Sequence, residues 1–210
     1  MKRKYNRIIL SDSGYAGLHT DISGANTDWS PWRHGTGIVD LIKTYSPDAN
    51  IYVHQVPEEF NLSREKMLLH VTELRDMAEP DDLIVIEWVI HRDLIMDEIV
   101  SELAQKSDTI ICAGNFGDTI ENWTPCCVPE ARTISCWNKS NKLAKLSNHG
   151  DKCIPMYGTS VQMSDGTISS GTSASTAIMA GILWRDTSDR FLEKVMYKMR
   201  RYHETELDNN

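Results

Sequence analysis

The sequence predicts an α/β protein in which a doubly wound, mostly parallel sheet carries helices on both faces. Short apolar segments alternate along the chain with longer segments whose apolar residues recur at helical spacing. The apolar segments are continuous rather than alternating with polar residues, which is typical of strands buried on both faces of a parallel sheet. Right-handed crossovers between such strands place helices on both sides and produce three layers.

Each element follows from this alternation up to about residue 115. The predicted strands are 7–10, 49–56, 83–86 and 109–113. One predicted helix begins at His34, and two others span residues 61–77 and 91–105. Short strands and turns follow, at 132–137, 142–146, 153–156 and 160–164, with a hairpin signal at Asp165-Gly166. A helix beginning at Ser173 and an amphipathic helix from Ser188 complete the chain. No linker interrupts it, so residues 1–210 are predicted to form one domain.

Composition excludes several function classes. The net charge of -8 gives no basic surface for nucleic acid. No window approaches the roughly 18 apolar residues of a membrane span, and the apolar run behind the basic start is too short for a signal peptide. The five cysteines follow no disulfide or zinc spacing. We therefore expect reduced thiols in a cytoplasmic protein.

Ser173 stands where a run of small residues leads into an apolar helical pattern. A serine at a helix N-terminus lies near unpaired N–H groups and the positive end of the helix dipole, which favour developing negative charge. It is a candidate nucleophile if a base, and an acid that orients the base, lie elsewhere in the chain. An ordinary N-cap serine has the same local sequence, so the segment alone leaves both interpretations open.

Three further residues occupy positions where an open α/β sheet places active-site groups. Asp12 follows the first predicted strand, and Asn115, flanked by glycines, follows the fourth. His34 opens a helix and is followed by Gly-Thr-Gly, which permits a close approach to the sheet. Asp12 and Asn115 also suit ordinary turns, and a lone histidine is most often a surface or core residue.

Read in order, these residues resemble one family. Asp before His before Ser is the order found in subtilisin. Ile-Leu-Ser-Asp12-Ser-Gly resembles that family's apolar strand ending in Asp-Ser/Thr-Gly, and His34-Gly-Thr-Gly resembles its His-Gly-Thr-His. Ala-Gly-Asn115-Phe-Gly resembles Ala-Gly-Asn-x-Gly, and Gly-Thr-Ser173-Ala-Ser resembles Gly-Thr-Ser-Met-Ala. Over roughly residues 5 to 184, the chain resembles a small subtilisin-like serine protease.

The resemblance implies peptide-bond hydrolysis through an acyl-enzyme. Ser173 would attack the scissile carbonyl, His34 would transfer the proton, and Asp12 would orient the imidazole. The Asn115 amide and the Ser173 N–H would bind the oxyanion. The expected partner is a peptide or protein, and no cofactor or metal is expected. The sequence does not determine the oligomeric state.

The resemblance also predicts substrate-binding residues. The segment ending in Glu87-Trp88-Val89 aligns with the strand that, in this family, pairs with the substrate backbone and lines the first specificity pocket. Gly114 is also expected to bind substrate. Val89 replaces a glycine, so it should narrow the pocket and favour a small residue before the scissile bond. Glu87, if it faces the cleft, should favour a basic residue nearby.

Two alternatives share this resemblance. One is a catalytically silent relative that binds peptide strands in the same cleft. The other is a ligase or cyclase that passes the acyl group to an amine instead of water. The four retained residues count against the first, and the sequence leaves the second open.

Overall fold

In a computed structural model of the protein, seven parallel strands form one sheet. The structure describes residues 5–58, 63–163 and 166–185. From one edge to the other the strands are β2 (Ser23–Gly24), β3 (Ile51–Gln55), β1 (Arg7–Asp12), β4 (Asp82–Ile86), β6 (Asp108–Cys112), β8 (Arg132–Trp137) and β9 (Ile154–Tyr157). Two antiparallel pairs stand apart from this sheet, β5 (Ile90–His91) with β7 (Trp123–Thr124) and β10 (Val161–Gln162) with β11 (Ile168–Ser169).

Helices cover both faces of the sheet and complete three layers. Helices α1 (His34–Tyr45) and α4 (Thr172–Arg185) share one apolar core, and α2 (Arg64–Met77) and α3 (Leu94–Lys106) share the other. Successive residues of one strand point to opposite faces, so Ile8 and Leu10 enter the first core and Ile9 the second. The predicted three-layer α/β fold is confirmed.

Side-chain caps decide where two helices begin. The Ser63 side chain accepts a hydrogen bond from the Lys66 N–H at the start of α2. The Asp93 side chain accepts from Ile95 and Met96, so α3 begins at Leu94 instead of the predicted residue 91.

The predicted strand at 142–146 is wrong. Here the Asn138 side chain accepts the N–H groups of Ser140 and Lys142 and turns the chain sharply back on itself. Only an isolated bridge between Leu143 and Trp137 then forms against the end of β8. Within the predicted strand 160–164, the structure forms only the two-residue strand β10. Residue 164 lies outside the described residues. Asp165 and the helix predicted from Ser188 also lie outside them.

None of the helices within the described ranges is both long and apolar enough to cross a membrane. All five cysteines carry free thiols; three are buried and two are partly exposed.

Candidate active site

Asp12 and His34 form a hydrogen-bonded pair at the carboxyl edge of the sheet. His34 Nδ1 lies 2.8 Å from Oδ1 and 3.0 Å from Oδ2 of Asp12. Because a carboxylate only accepts, Nδ1 carries the proton and Nε2 is left as the basic nitrogen. The Asp12 side chain is 3% exposed and that of His34 is 39% exposed, so the base is accessible while its partner is shielded.

The surroundings of His34 raise its pKa. Burial of the ring lowers the pKa, but the charge of Asp12, its hydrogen bond to Nδ1 and the charge of Asp28 together outweigh this effect. These acidic groups stabilise the imidazolium, which is the state that forms when a general base accepts a proton.

A network from a distant loop holds the start of α1 against β1. The Gly35 N–H donates to Ser13 Oγ at 3.0 Å, and this hydroxyl donates to Asp28 at 2.7 Å. The Thr36 N–H and hydroxyl both donate to the other Asp28 oxygen. A Cβ on Gly35 would lie 2.2 Å from the Gly14 carbonyl oxygen, so this close approach requires glycine.

Ser173 is the accessible residue at the N-terminus of α4. It is partly exposed, whereas its neighbours at 171–172 and 174–181 are buried. The cleft that it lines, of about 430 Å³, is also lined by Asp12, His34, Asn115 and Glu87. No hydrogen bond joins its hydroxyl to His34 among the described residues. Such bonds are often long without substrate and tighten when the site is filled.

The side-chain amide of Asn115 has one determined orientation. Its Oδ1 accepts from the Thr172 N–H at 3.0 Å and from the Thr172 hydroxyl at 3.2 Å. An N–H can only donate, so Oδ1 must face Thr172 and Nδ2 is the donor that remains. Asn115 is exposed, and this donor is therefore accessible beside Ser173.

Trp88 supports the cleft from the core. Its indole N–H donates to Ser11 Oγ at 2.7 Å, and this hydroxyl lies 2.7 Å from His70 Nε2. The Ser11 hydroxyl accepts from the indole and keeps its own proton, which it can donate to Nε2 of a neutral His70. Trp88 lines the cleft, as predicted for a substrate-binding residue, but the residue is only 6% exposed.

Stability should fall in acid because His70 is buried and neutral. Burial, with the neighbouring His54 ring, lowers the pKa of His70 to about 3. The unfolded chain therefore binds a proton below its ordinary pKa of about 6.5, whereas the folded chain does not until the pH approaches the lower value. We expect the contribution of His70 to stability to be about 2 kcal/mol smaller at pH 5 than at pH 7, measured by urea unfolding of wild type against a His70 variant. His70→Gln should lose this difference and exposed His149→Gln should keep it; equal pH dependence in all three proteins would contradict the expectation.

Val89 and Gly114 lie on two facing walls of the predicted specificity pocket, and these walls are close together. A Cβ on Gly114 would lie 2.8 Å from Val89 Cγ2 and 2.6 Å from Asn148 Nδ2. Gly114 also adopts a φ of +96°, which favours glycine. The space between the walls is therefore small.

Glu87 lines the cleft but is only 6% exposed. Burial and the charge of Asp12 raise its pKa well above its usual range, and the Ser173 hydroxyl offsets only part of this rise. The neutral form of the side chain is therefore favoured. The expected preference for a basic residue needs a fixed negative charge, which this environment disfavours.

Sequence reasoning missed several residues of the site. Asp28 had a detectable signal, since it accepts the Ser30 N–H in an Asx turn, a common role of Asp in loops. Trp29 and Trp32 line the cleft beside His34, and Trp32 is 87% exposed. Asn148, which accepts the N–H groups of residues 116 and 118, had no local signal.

Solved structures of proteases share this architecture. A cold-adapted subtilisin-like serine proteinase is 19% identical, with a TM-score of 0.72 over 85% of this chain and 74% of that one. The chain has the subtilisin-like fold. A lanthipeptide protease is 18% identical, with a TM-score of 0.65 over 83% of this chain and 70% of that one. The prenylagaramide maturation protease PagA is 18% identical, with a TM-score of 0.67 over 85% and 74%.

No protein-family model and no curated protein matches the sequence. The similarity to subtilisin-like structures is therefore one of fold, and the chemistry must be argued from the site itself. Within the described residues, no group of three or more His, Cys, Asp or Glu side chains is arranged to hold a metal ion.

Proposed function

We propose that the protein is a serine endopeptidase that hydrolyses peptide bonds through an acyl-enzyme. The observation that carries the proposal is the hydrogen-bonded Asp12–His34 pair in the same cleft as the accessible Ser173. An oriented base beside a serine at a helix N-terminus is what nucleophilic catalysis requires.

Each residue has a role in the proposed mechanism. Ser173 Oγ attacks the scissile carbonyl, and His34 Nε2 takes its proton and later delivers it to the leaving amine. Asp12 holds the proton on Nδ1 and stabilises the imidazolium. Asn115 Nδ2 and the Ser173 N–H donate to the oxyanion, and the Asn115 amide needs no reorganisation because Thr172 already holds its Oδ1.

A peptide or protein is the proposed substrate. Similar structures named as proteases, including a lanthipeptide protease and a maturation protease, support this class of partner. The walls formed by Trp88, Val89 and Gly114 would pair with its backbone and accept the side chain before the scissile bond. The free, largely buried thiols support a reducing, cytoplasmic location for the enzyme.

A fluorophosphonate tests the function directly because it modifies an activated serine. We expect the mass to increase by one adduct on Ser173, with no labelling of Ser173→Ala. Ser175→Ala is not a suitable control because the buried Ser175 hydroxyl supports α4 through Met156. Ser101→Ala on the surface of α3 is the matched control and should label like the wild type. A folded wild-type protein that never labels would favour the peptide-binding alternative.

The products formed from an unstructured protein substrate then distinguish hydrolysis from acyl transfer to an amine. Incubation with casein and an excess of an amine acceptor should yield fragments with free carboxyl ends. Mass spectra dominated by amide-linked adducts would instead identify a ligase or cyclase.

Val89→Gly should widen the specificity pocket. Removing the Val89 side chain, whose Cγ2 would lie 2.8 Å from a Cβ on Gly114, creates space for a large residue before the scissile bond. We expect kcat/KM for a phenylalanine substrate, relative to its alanine counterpart, to rise by roughly tenfold or more. The isosteric Val89→Thr retains the wall and should leave the ratio unchanged. A wild-type preference for large aromatic residues in a peptide library would contradict the narrow pocket.

A further inference from the structure

We propose that Glu87 works as a neutral carboxylic acid beside Ser173, and that its ionisation sets an alkaline limit to the reaction. The inference rests on the proposed function, because it concerns the hydroxyl that is proposed to react. Glu87 would be a positioning residue: it acts on the substrate through Ser173 and His34.

The placement of Glu87 is central to the cleft. It directly follows β4, which lies between β1 and β6 in the sheet. The Glu87 N–H donates to the Ser11 carbonyl oxygen at 3.1 Å, so its backbone is held at the end of β1. Glu87 lines the cleft that Ser173 and His34 also line, and both of its carboxyl oxygens are buried.

The carboxyl group is buried without compensation. Neither oxygen has a hydrogen-bond partner of ordinary geometry among the described residues. No lysine or arginine of the described chain lines the cleft. An ionised carboxylate in such a place loses its hydration and gains nothing in return, so the neutral form is strongly favoured.

Groups from each neighbouring element oppose ionisation or leave it uncompensated. Asp12 approaches from β1 with a negative charge, and Cys112 from β6 presents a thiol whose own pKa burial raises well above its usual range. The Ser173 hydroxyl approaches from α4 and favours the ionised form of Glu87, although less strongly than burial and Asp12 oppose it. His34 lines the same cleft and can supply a positive charge only when protonated.

The neutral acid has a donor that the carboxylate lacks. Its O–H is available to Ser173 Oγ, which leaves the serine proton free for His34 Nε2. Ionisation removes that donor and places a second negative charge beside Asp12. The negative charge that develops on Ser173 and on the oxyanion then becomes less favourable. The rate should therefore rise as His34 loses its proton and fall as Glu87 loses its own.

The pH dependence of the fluorophosphonate labelling rate tests this inference. Wild type should give a bell, falling about tenfold per pH unit on the alkaline side until the fold is lost. Glu87→Gln keeps the shape and a donor but cannot ionise, so its alkaline limb should disappear while the acid limb of His34 stays. Glu102→Gln, on the exposed side of α3, should reproduce the wild-type bell. Circular dichroism at each pH separates this effect from unfolding.

Infrared spectroscopy provides a readout that does not depend on catalysis. The difference spectrum, obtained at neutral pH by subtracting the spectrum of Glu87→Gln from that of wild type, should contain the C=O stretch of a protonated carboxylic acid. Bands of an ionised carboxylate instead would overturn the inference. So would an alkaline limb that persists in Glu87→Gln. Labelling with an unchanged profile refutes this inference alone, whereas a folded protein that never labels refutes the proposed function as well.

Discussion

Replacing His34 with alanine should lower kcat about 10⁶-fold, the cost expected when one essential member of a serine-protease triad is removed. His34 is accessible, its Nδ1 is hydrogen-bonded to Asp12, and its raised pKa makes Nε2 an effective base. Without the imidazole, nothing takes the Ser173 proton. Turnover of a peptide ester measures the effect. Substrate binding, measured by KM, should change little because the ring makes its contribution in the transition state.

Asp12→Asn provides a graded comparison. Its amide nitrogen would donate to His34 Nδ1 and move the ring proton to Nε2, the nitrogen that must accept. We expect kcat to fall about 10⁴-fold, less than in His34→Ala. The double variant should be no worse than His34→Ala alone, since the residues act as a unit. His19→Ala, on a partly exposed histidine that pairs with Asp40, is the control and should retain turnover. Comparable losses in the control would contradict the assignment.

Asn115→Ala should lower kcat by about two to three orders of magnitude with little effect on KM. The amide is anchored by Thr172 through Oδ1, so its Nδ2 donor is oriented before substrate arrives. A donor that does not need to reorganise stabilises the oxyanion more than the ground-state carbonyl, which places the loss in kcat.

Asn115→Asp separates this role from structural support. Aspartate keeps an oxygen for the Thr172 N–H and hydroxyl but replaces the donor with a second acceptor. It should lose at least as much turnover as Asn115→Ala. Asn122→Ala, on an exposed residue outside the cleft, should behave like wild type. Wild-type turnover in Asn115→Asp would exclude the oxyanion role.

Strand patterning made most of the sheet predictable. Continuous apolar runs identified the buried strands β1, β3, β4 and β6, and β8 was predicted with its observed bounds. The strand predicted at 142–146 does not form. There the Asn138 side chain accepts hydrogen bonds from nearby backbone N–H groups, and this turn outweighs the local β propensity. The start of α3 was predicted at residue 91 instead of Leu94, because the Asp93 side chain caps the helix and fixes its first residue.

The proposed catalytic residues were recognisable because each belongs to a short motif at a strand end or helix start. The structure brings Asp12, His34, Asn115 and Ser173 to one cleft. Asn148 was missed because its partners are far away in sequence, and the local turn of Asp28 did not reveal its contacts with Ser13 and Thr36. Asp28 binds Thr36, and Asn148 binds the loop after Asn115.

The sequence by itself determined the layered fold and the order of the elements, and it identified the residues that we propose to be catalytic. Those features depend on local periodicity and on motifs of a few residues. Only the tertiary structure decided the burial of Glu87, which raises its pKa, and the narrow gap between Val89 and Gly114. Burial, the nearest charge and the distance between two walls are set by segments far apart in the chain. Packing beside Asp12 and Ser173 therefore favours the neutral form of a glutamate that the sequence presents as a negative charge.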